Sequence, residues 1–160
     1  MRNQLDAAIT FVSSPESGFF VEGLRRSLML WPRVRDLTLL NVSDPRVDTL
    51  QPLSMTSLAG LTSLTIRQMT GVRDFPTFSS SVAATLQVID ISGWRSPHSI
   101  DAVRSCVQLR YLRIPWVLGV WALEPLAACS QLKELWMVGH LRQTSLVGSA
   151  HVTSLAPLKA

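Results

Sequence analysis

The stretch LRYLRIPWVLGVWALEPLAACSQLKELWM, residues 109–137, holds one complete structural unit and the start of the next. It opens with apolar residues at its first, fourth and sixth positions, Leu109, Leu112 and Ile114, and the spacing returns at Leu132, Leu135 and Met137. Between the two runs Val120, Leu123 and Leu126 stand three apart. Apolar fourth and sixth positions around an outward-facing fifth describe a short strand with one buried face. Apolar residues three apart describe one face of a helical or 3₁₀ segment. One such unit cannot bury its apolar side alone, so the pattern has to repeat.

It does. VRDLTL starts at Val34, LTSLTI at Leu61, LQVIDI at Leu86, LRYLRI at Leu109 and LKELWM at Leu132, at spacings of 27, 25, 23 and 23 residues. The second half recurs in register as Val47/Leu50/Leu53, Val72/Phe75/Phe78, Pro97/Ile100/Val103 and Val120/Leu123/Leu126. Three copies share the form V-x-x-L-x-P-L: VDTLQPL (47–53), VWALEPL (120–126) and VTSLAPL (152–158). From Leu132 to Val152 the interval stretches to 20 residues, and the surplus in HLRQTSLVGSAH (140–151) predicts a protruding loop. No strand motif follows VTSLAPLKA, so an open C-terminal end is expected, with the face of the Leu132 unit only partly covered, as in a fragment or a chain that docks on another.

Two registered half-motifs over four full units resemble the leucine-rich repeat family from Val34 to Leu158. The V-x-x-L-x-P-L half is similar to units of internalins and of trypanosomatid leucine-rich repeat proteins. VRSCVQLRYL (103–112) and LAACSQLKEL (126–135) resemble the cysteine-containing subfamily found in F-box proteins. The resemblance implies an α/β fold: a curved, right-handed solenoid with short parallel strands on the concave face and short α or 3₁₀ segments on the convex face. Residues 1–33 then form an N-terminal cap or degenerate first repeat, with a strand around Ile9 and Phe11. Its helix, in VEGLRRSLMLW, would carry Val21, Leu24, Leu28 and Trp31 on one stripe. Residues 34–160 form the repeats. The sequence departs from the family at the ninth position, where Val42, Met69, Trp94, Val117 and His140 replace the usual Asn or Cys. The turn hydrogen bonds there must come from backbone and water, with irregular curvature.

Composition excludes several classes. The net charge of +4 comes from 15 basic and 11 acidic residues, mostly single; RR at 25–26 and RVR at 33–35 are the clusters, which reads as a solvated surface. Cys106 and Cys129 occupy one place in the repeat and read as small apolar fillers, with no disulfide framework, no zinc site and no cofactor. No run approaches the roughly 18 apolar residues of a membrane span. The N-terminus has neither a secretory nor a transit pattern, so the expected address is cytoplasmic or nuclear, not secreted. His98, His140 and His151 stand alone, and no nucleophile, phosphate-loop or dinucleotide motif occurs, so catalysis is not expected. Asp90 and Glu134 fall in different outward columns and read as surface charge.

The functional signal lies on the outward strand positions. These are Thr38/Leu40, Thr65/Arg67, Asp90/Ser92, Arg113/Pro115 and Trp136/Val138, with Asp36, Ser63, Val88, Tyr111 and Glu134 at position three. With adjacent strands about 4.8 Å apart, Tyr111, Arg113 and Trp136 should neighbour one another. A Tyr–Trp–Arg group is the composition of interface hot spots. Arg67, Asp90, Tyr111, Arg113, Trp116, Glu134 and Trp136 are therefore the candidate partner-binding residues, with Trp116 just after its strand. The alternative is that the aromatics pack under the 140–151 loop, or that Arg113 merely covers Trp136. Trp94 and Trp121 fall at turns and read as packing. The expected function is a non-catalytic scaffold binding a protein partner. The other open reading is a structural subunit of a ribonucleoprotein or cytoskeletal assembly, with basic contacts to RNA.

Overall fold

The computed structural model describes residues 7–12, 20–30, 33–40, 50, 58–69, 77–94, 99–116, 123–139 and 149–152. Seven strands form one sheet in chain order. They are β1 (Ala7–Val12), β2 (Val34–Leu40), β3 (Ser63–Arg67), β4 (Val88–Asp90), β5 (Tyr111–Trp116), β6 (Glu134–Gly139) and β7 (Ser149–Val152). β1 to β6 are all parallel, and β7 runs antiparallel to β6. Helix α1 (Phe20–Leu30) joins β1 to β2, and the short α2 (Ser80–Ala83) precedes β4. Two 3₁₀ segments, Asp101–Ser105 and Glu124–Ala128, precede β5 and β6. The architecture is α/β with a six-stranded parallel core.

Register follows the apolar pattern of the sequence. Position four forms the column Leu37, Leu64, Ile89, Leu112, Leu135, extended by Ile9 on β1. These five residues, and Leu39, Ile66, Ile91 and Ile114 at position six, are buried. Removing each such side chain from water contributes about 1.5–3 kcal/mol. A slip of one residue would turn the whole set outward. Position one, Val34, Leu61, Leu86, Leu109 and Leu132, is also buried. In four of the five units the strand begins two residues after it, because the main chain there still closes the preceding turn. Leu61 N–H donates to the Leu58 carbonyl (2.8 Å), Leu109 to Cys106 (3.0 Å) and Leu132 to Cys129 (2.9 Å).

The second halves supply the other wall. Leu50, Phe78, Ile100, Val103 and Leu126 are buried, and Leu123 packs against the same core. α2 lies against the Asp101–Ser105 segment, and that segment against Glu124–Ala128, so these elements also follow chain order. In the Leu61 unit the helix starts at Ser80, beyond the expected motif, where Ser79 Oγ accepts from the Val82 N–H (3.4 Å). The other members expected here, Val47, Leu53, Val72, Phe75, Pro97 and Val120, lie outside the described residues, as do Trp31 and Trp121. At the N-terminal end Ile9 and Phe11 lie on β1, and Leu24 and Leu28 of α1 are buried.

At the ninth position of two units the turn is closed by the backbone. Met69 and Trp94 are fully buried, and they pair with each other in an isolated parallel bridge. Met69 N–H donates to the Gly93 carbonyl (3.2 Å) and Trp94 N–H to that of Ile91 (2.9 Å), so backbone groups close these turns. Val42, Val117 and His140 lie outside the described residues.

The expected extent of the 140–151 loop needs correcting. Ser149–Val152 is a strand on the edge of β6, pairing Leu135 with Val152 and Val138 with Ser149. Residues 149–151 therefore lie in the sheet rather than in a protruding loop, and the Leu135–Val138 edge of β6 is paired. A row of unpaired main-chain groups on β6 would need partners. A parallel return needs a long crossover, whereas an antiparallel one forms wherever the chain reverses. Residues 140–148 and 153–160 lie outside the described residues.

One glycine is dictated by close approach. A Cβ at Gly93 would stand 2.6 Å from Arg67 Cα and 2.8 Å from Gln68 N, and Gln68 itself has φ 57°. The β3 exit and the turn after β4 touch backbone to backbone. Gly93→Ala should therefore destabilise the fold by about 1–3 kcal/mol, as overpacking does, read as a lower denaturant midpoint with an unchanged slope.

Candidate functional site

The face of the sheet opposite the core carries positions three, five and seven. Strand pairing sets Thr10, Thr38, Thr65, Asp90, Arg113 and Trp136 in one column. Ala8, Asp36, Ser63, Val88, Tyr111 and Glu134 form the next. Arg113 thus pairs directly with Trp136, and Tyr111 with Glu134. Tyr111, Arg113 and Trp136 are neighbours, as the repeat spacing predicts, and all three are partly exposed.

Within this face the polar groups are tied together. Asp90 is 8% exposed; its Oδ1 accepts from the Ser92 N–H (3.0 Å) and the Ser92 hydroxyl (2.6 Å). Its Oδ2 lies 3.7 Å from Arg113 Nη1. Asp90 is therefore not surface charge: it is held by the serine turn after β4 and faces the long arginine from β5. Arg113 Nε is covered and has no hydrogen-bond partner, a state that costs about 1–3 kcal/mol for a buried donor. The Trp136 indole N–H donates to Glu134 Oε2 at 3.2 Å, holding these two side chains together along β6.

The remaining candidates are spread more widely. Arg67 is exposed at the end of β3, opposite Leu40 of β2. Trp116 is the last residue of β5 rather than a residue beyond it, and pairs with Gly139. Its side chain lies outside the described residues. Pro115, an outward position by sequence, is buried. β4 pairs only with Tyr111–Arg113, so the missing N–H of Pro115 falls past the end of that neighbour. Trp94 is core, as its turn position suggests. The burial of Asp90 was not visible in the sequence, although the D-x-S spacing of Asp90 and Ser92 was a usable sign of a local side-chain turn.

Among the described residues no group of three or more His, Cys, Asp or Glu side chains could hold a metal ion. Cys106 and Cys129 are buried and free. Burial pushes the Cys106 thiol up to about 12, with a smaller contribution from Cys129, and burial pushes Cys129 to about 11. Both remain protonated, non-nucleophilic thiols at neutral pH. Cys129 Sγ donates instead to the Val103 carbonyl of the preceding unit (3.4 Å). No described helix is long and apolar enough to cross a membrane. Comparison with protein-family models, with curated proteins and with solved structures finds no match.

The thiols give a pH prediction. An unfolded cysteine loses its proton near its ordinary value of 9.0, whereas the folded chain holds both protons to higher pH. The unfolded state then binds fewer protons, so stability is retained below about pH 9 and falls as pH rises toward the folded values. The urea midpoint should drop between pH 8.5 and pH 10.5, in steps of about half a unit, and Cys106→Ala should flatten that drop.

Proposed function

We propose that the chain is a leucine-rich repeat solenoid that holds a protein partner on the outward, concave face of its parallel strands, without catalysis. The solenoid reading is supported by strands that stack in chain order with aligned apolar columns, and by helical segments that follow the same order on the other side. The observation that carries the binding reading is the adjacency of Tyr111, Arg113 and Trp136 on β5 and β6. Two aromatics and an arginine on a rigid, partly exposed surface offer large contact area at small cost in side-chain entropy. Asp90, Ser92 and Glu134 hold that group in place. Rigidity favours recognition, because little ordering is left for the moment of binding.

The test is capture by the immobilised full chain from an extract of its source cell, followed by titration of the captured protein. Trp136→Ala and Tyr111→Ala should each weaken the complex at least about tenfold, or 1.4 kcal/mol. An Arg25→Ala/Arg26→Ala double substitution on the exposed side of α1 should leave it unchanged. Capture of RNA instead, lost steeply between low and physiological salt and insensitive to Trp136→Ala, would replace this reading with phosphate binding.

A further inference from the structure

We propose that the partner engages this face through acidic side chains, with Arg113 as the carboxylate-binding group; the proposal rests on the protein-binding reading above. A guanidinium offers five N–H donors in a planar fork that matches a carboxylate. Arg113 uses them poorly. Its contact to Asp90 Oδ2, at 3.7 Å, exceeds hydrogen-bond length, and its Nε has no partner. Asp90 is held by two bonds from Ser92 while its other oxygen faces Arg113. The arginine side chain is nevertheless 37% exposed, and because Nε is covered that exposure belongs to the rest of the side chain. An incoming carboxylate would supply the short, charge-assisted bonds that Asp90 does not.

The surroundings specify an acidic segment rather than a single anion. Tyr111 lies two residues away on β5 and Trp136 directly opposite on β6, and both are partly exposed. Arg110 and Lys133 are exposed at the entrances to the same strands, on consecutive rungs joined by the Lys133 N–H to Arg110 carbonyl bond (2.9 Å). Arg113 shares the outward columns with Glu134 and the nearly buried Asp90, and Arg110 and Lys133 add exposed positive charge at the entrances to the two strands. Positive charge spread over two rungs matches several carboxylates along one partner chain.

The experiment uses the ¹⁵N-labelled full chain and follows the Arg113 Nε–H and Trp136 indole N–H signals. The probe is a blocked peptide of alternating glutamate and alanine, with its glutamine counterpart as control. Further arms are an alanine peptide with a free terminal carboxylate and a single-stranded oligouridylate. The glutamate peptide should move both signals at millimolar concentration, and the glutamine peptide should move neither. Arg113→Met should weaken binding at least about tenfold, while Arg113→Lys keeps the charge without the fork and retains part of the affinity. Main-chain signals of β5 and β6 report whether each variant is folded. Equal binding of the glutamine peptide, tighter binding of the free terminus or the oligouridylate, unchanged affinity in folded Arg113→Met, or no shift with any probe would each overturn the proposal. Protein capture that is lost in Trp136→Ala but intact in Arg113→Met would sink the carboxylate assignment and leave the protein-binding reading standing. Capture that survives both would sink that reading itself.

Discussion

At the entrances to β3, β4, β5 and β6 the same main-chain hydrogen bond recurs. Thr62 N–H donates to the Arg35 carbonyl, Gln87 to Thr62, Arg110 to Gln87 and Lys133 to Arg110, at 2.8, 2.8, 2.8 and 2.9 Å. These residues occupy the second position of successive repeats. The bond therefore converts the sequence spacing into a spatial translation from one strand to the next. Side chains reinforce it: Thr62 Oγ1 also donates to the Arg35 carbonyl (3.0 Å), and Thr85 Oγ1 reaches the Leu61 carbonyl (2.8 Å). Everything on the outward face depends on this register. Shifting one rung by one residue would bury the arginine and expose the leucines.

The apolar columns make that shift expensive, and the ladder decides which outward groups meet. Arg113 faces Trp136 because Leu112 is fixed against Leu135 and Ile114 against Met137. The core and the candidate site are two sides of the same strands. A substitution that loosens position four or six should disturb the alignment of the outward columns before it unfolds the chain. The buried cysteines belong to the core side of this arrangement, where burial keeps their thiols protonated.

Period and alternation made the strands legible in the sequence, together with both outward columns and the adjacency of Tyr111, Arg113 and Trp136. These features follow from local spacing, and solenoid-like stacking turns local spacing directly into contacts. Three features were not legible, because each depends on contacts that spacing does not encode. Strand β7 pairs along the edge of β6, where the surplus residues 140–151 pointed to a protruding loop instead. Asp90 is buried by the turn that follows it and by an arginine from the next strand, neither of which its column position reveals. Gly93 is required by the passage of the Arg67–Gln68 backbone 26 residues earlier, measured from Arg67.

The most direct test of this account is a set of through-hydrogen-bond scalar couplings between amide nitrogens and carbonyl carbons across the sheet. The predicted result is four couplings, from Thr62 to Arg35, Gln87 to Thr62, Arg110 to Gln87 and Lys133 to Arg110. A coupling displaced by one residue on any rung, or an acceptor for Arg110 or Lys133 outside the preceding strand entrance, would contradict the register from which the site is built.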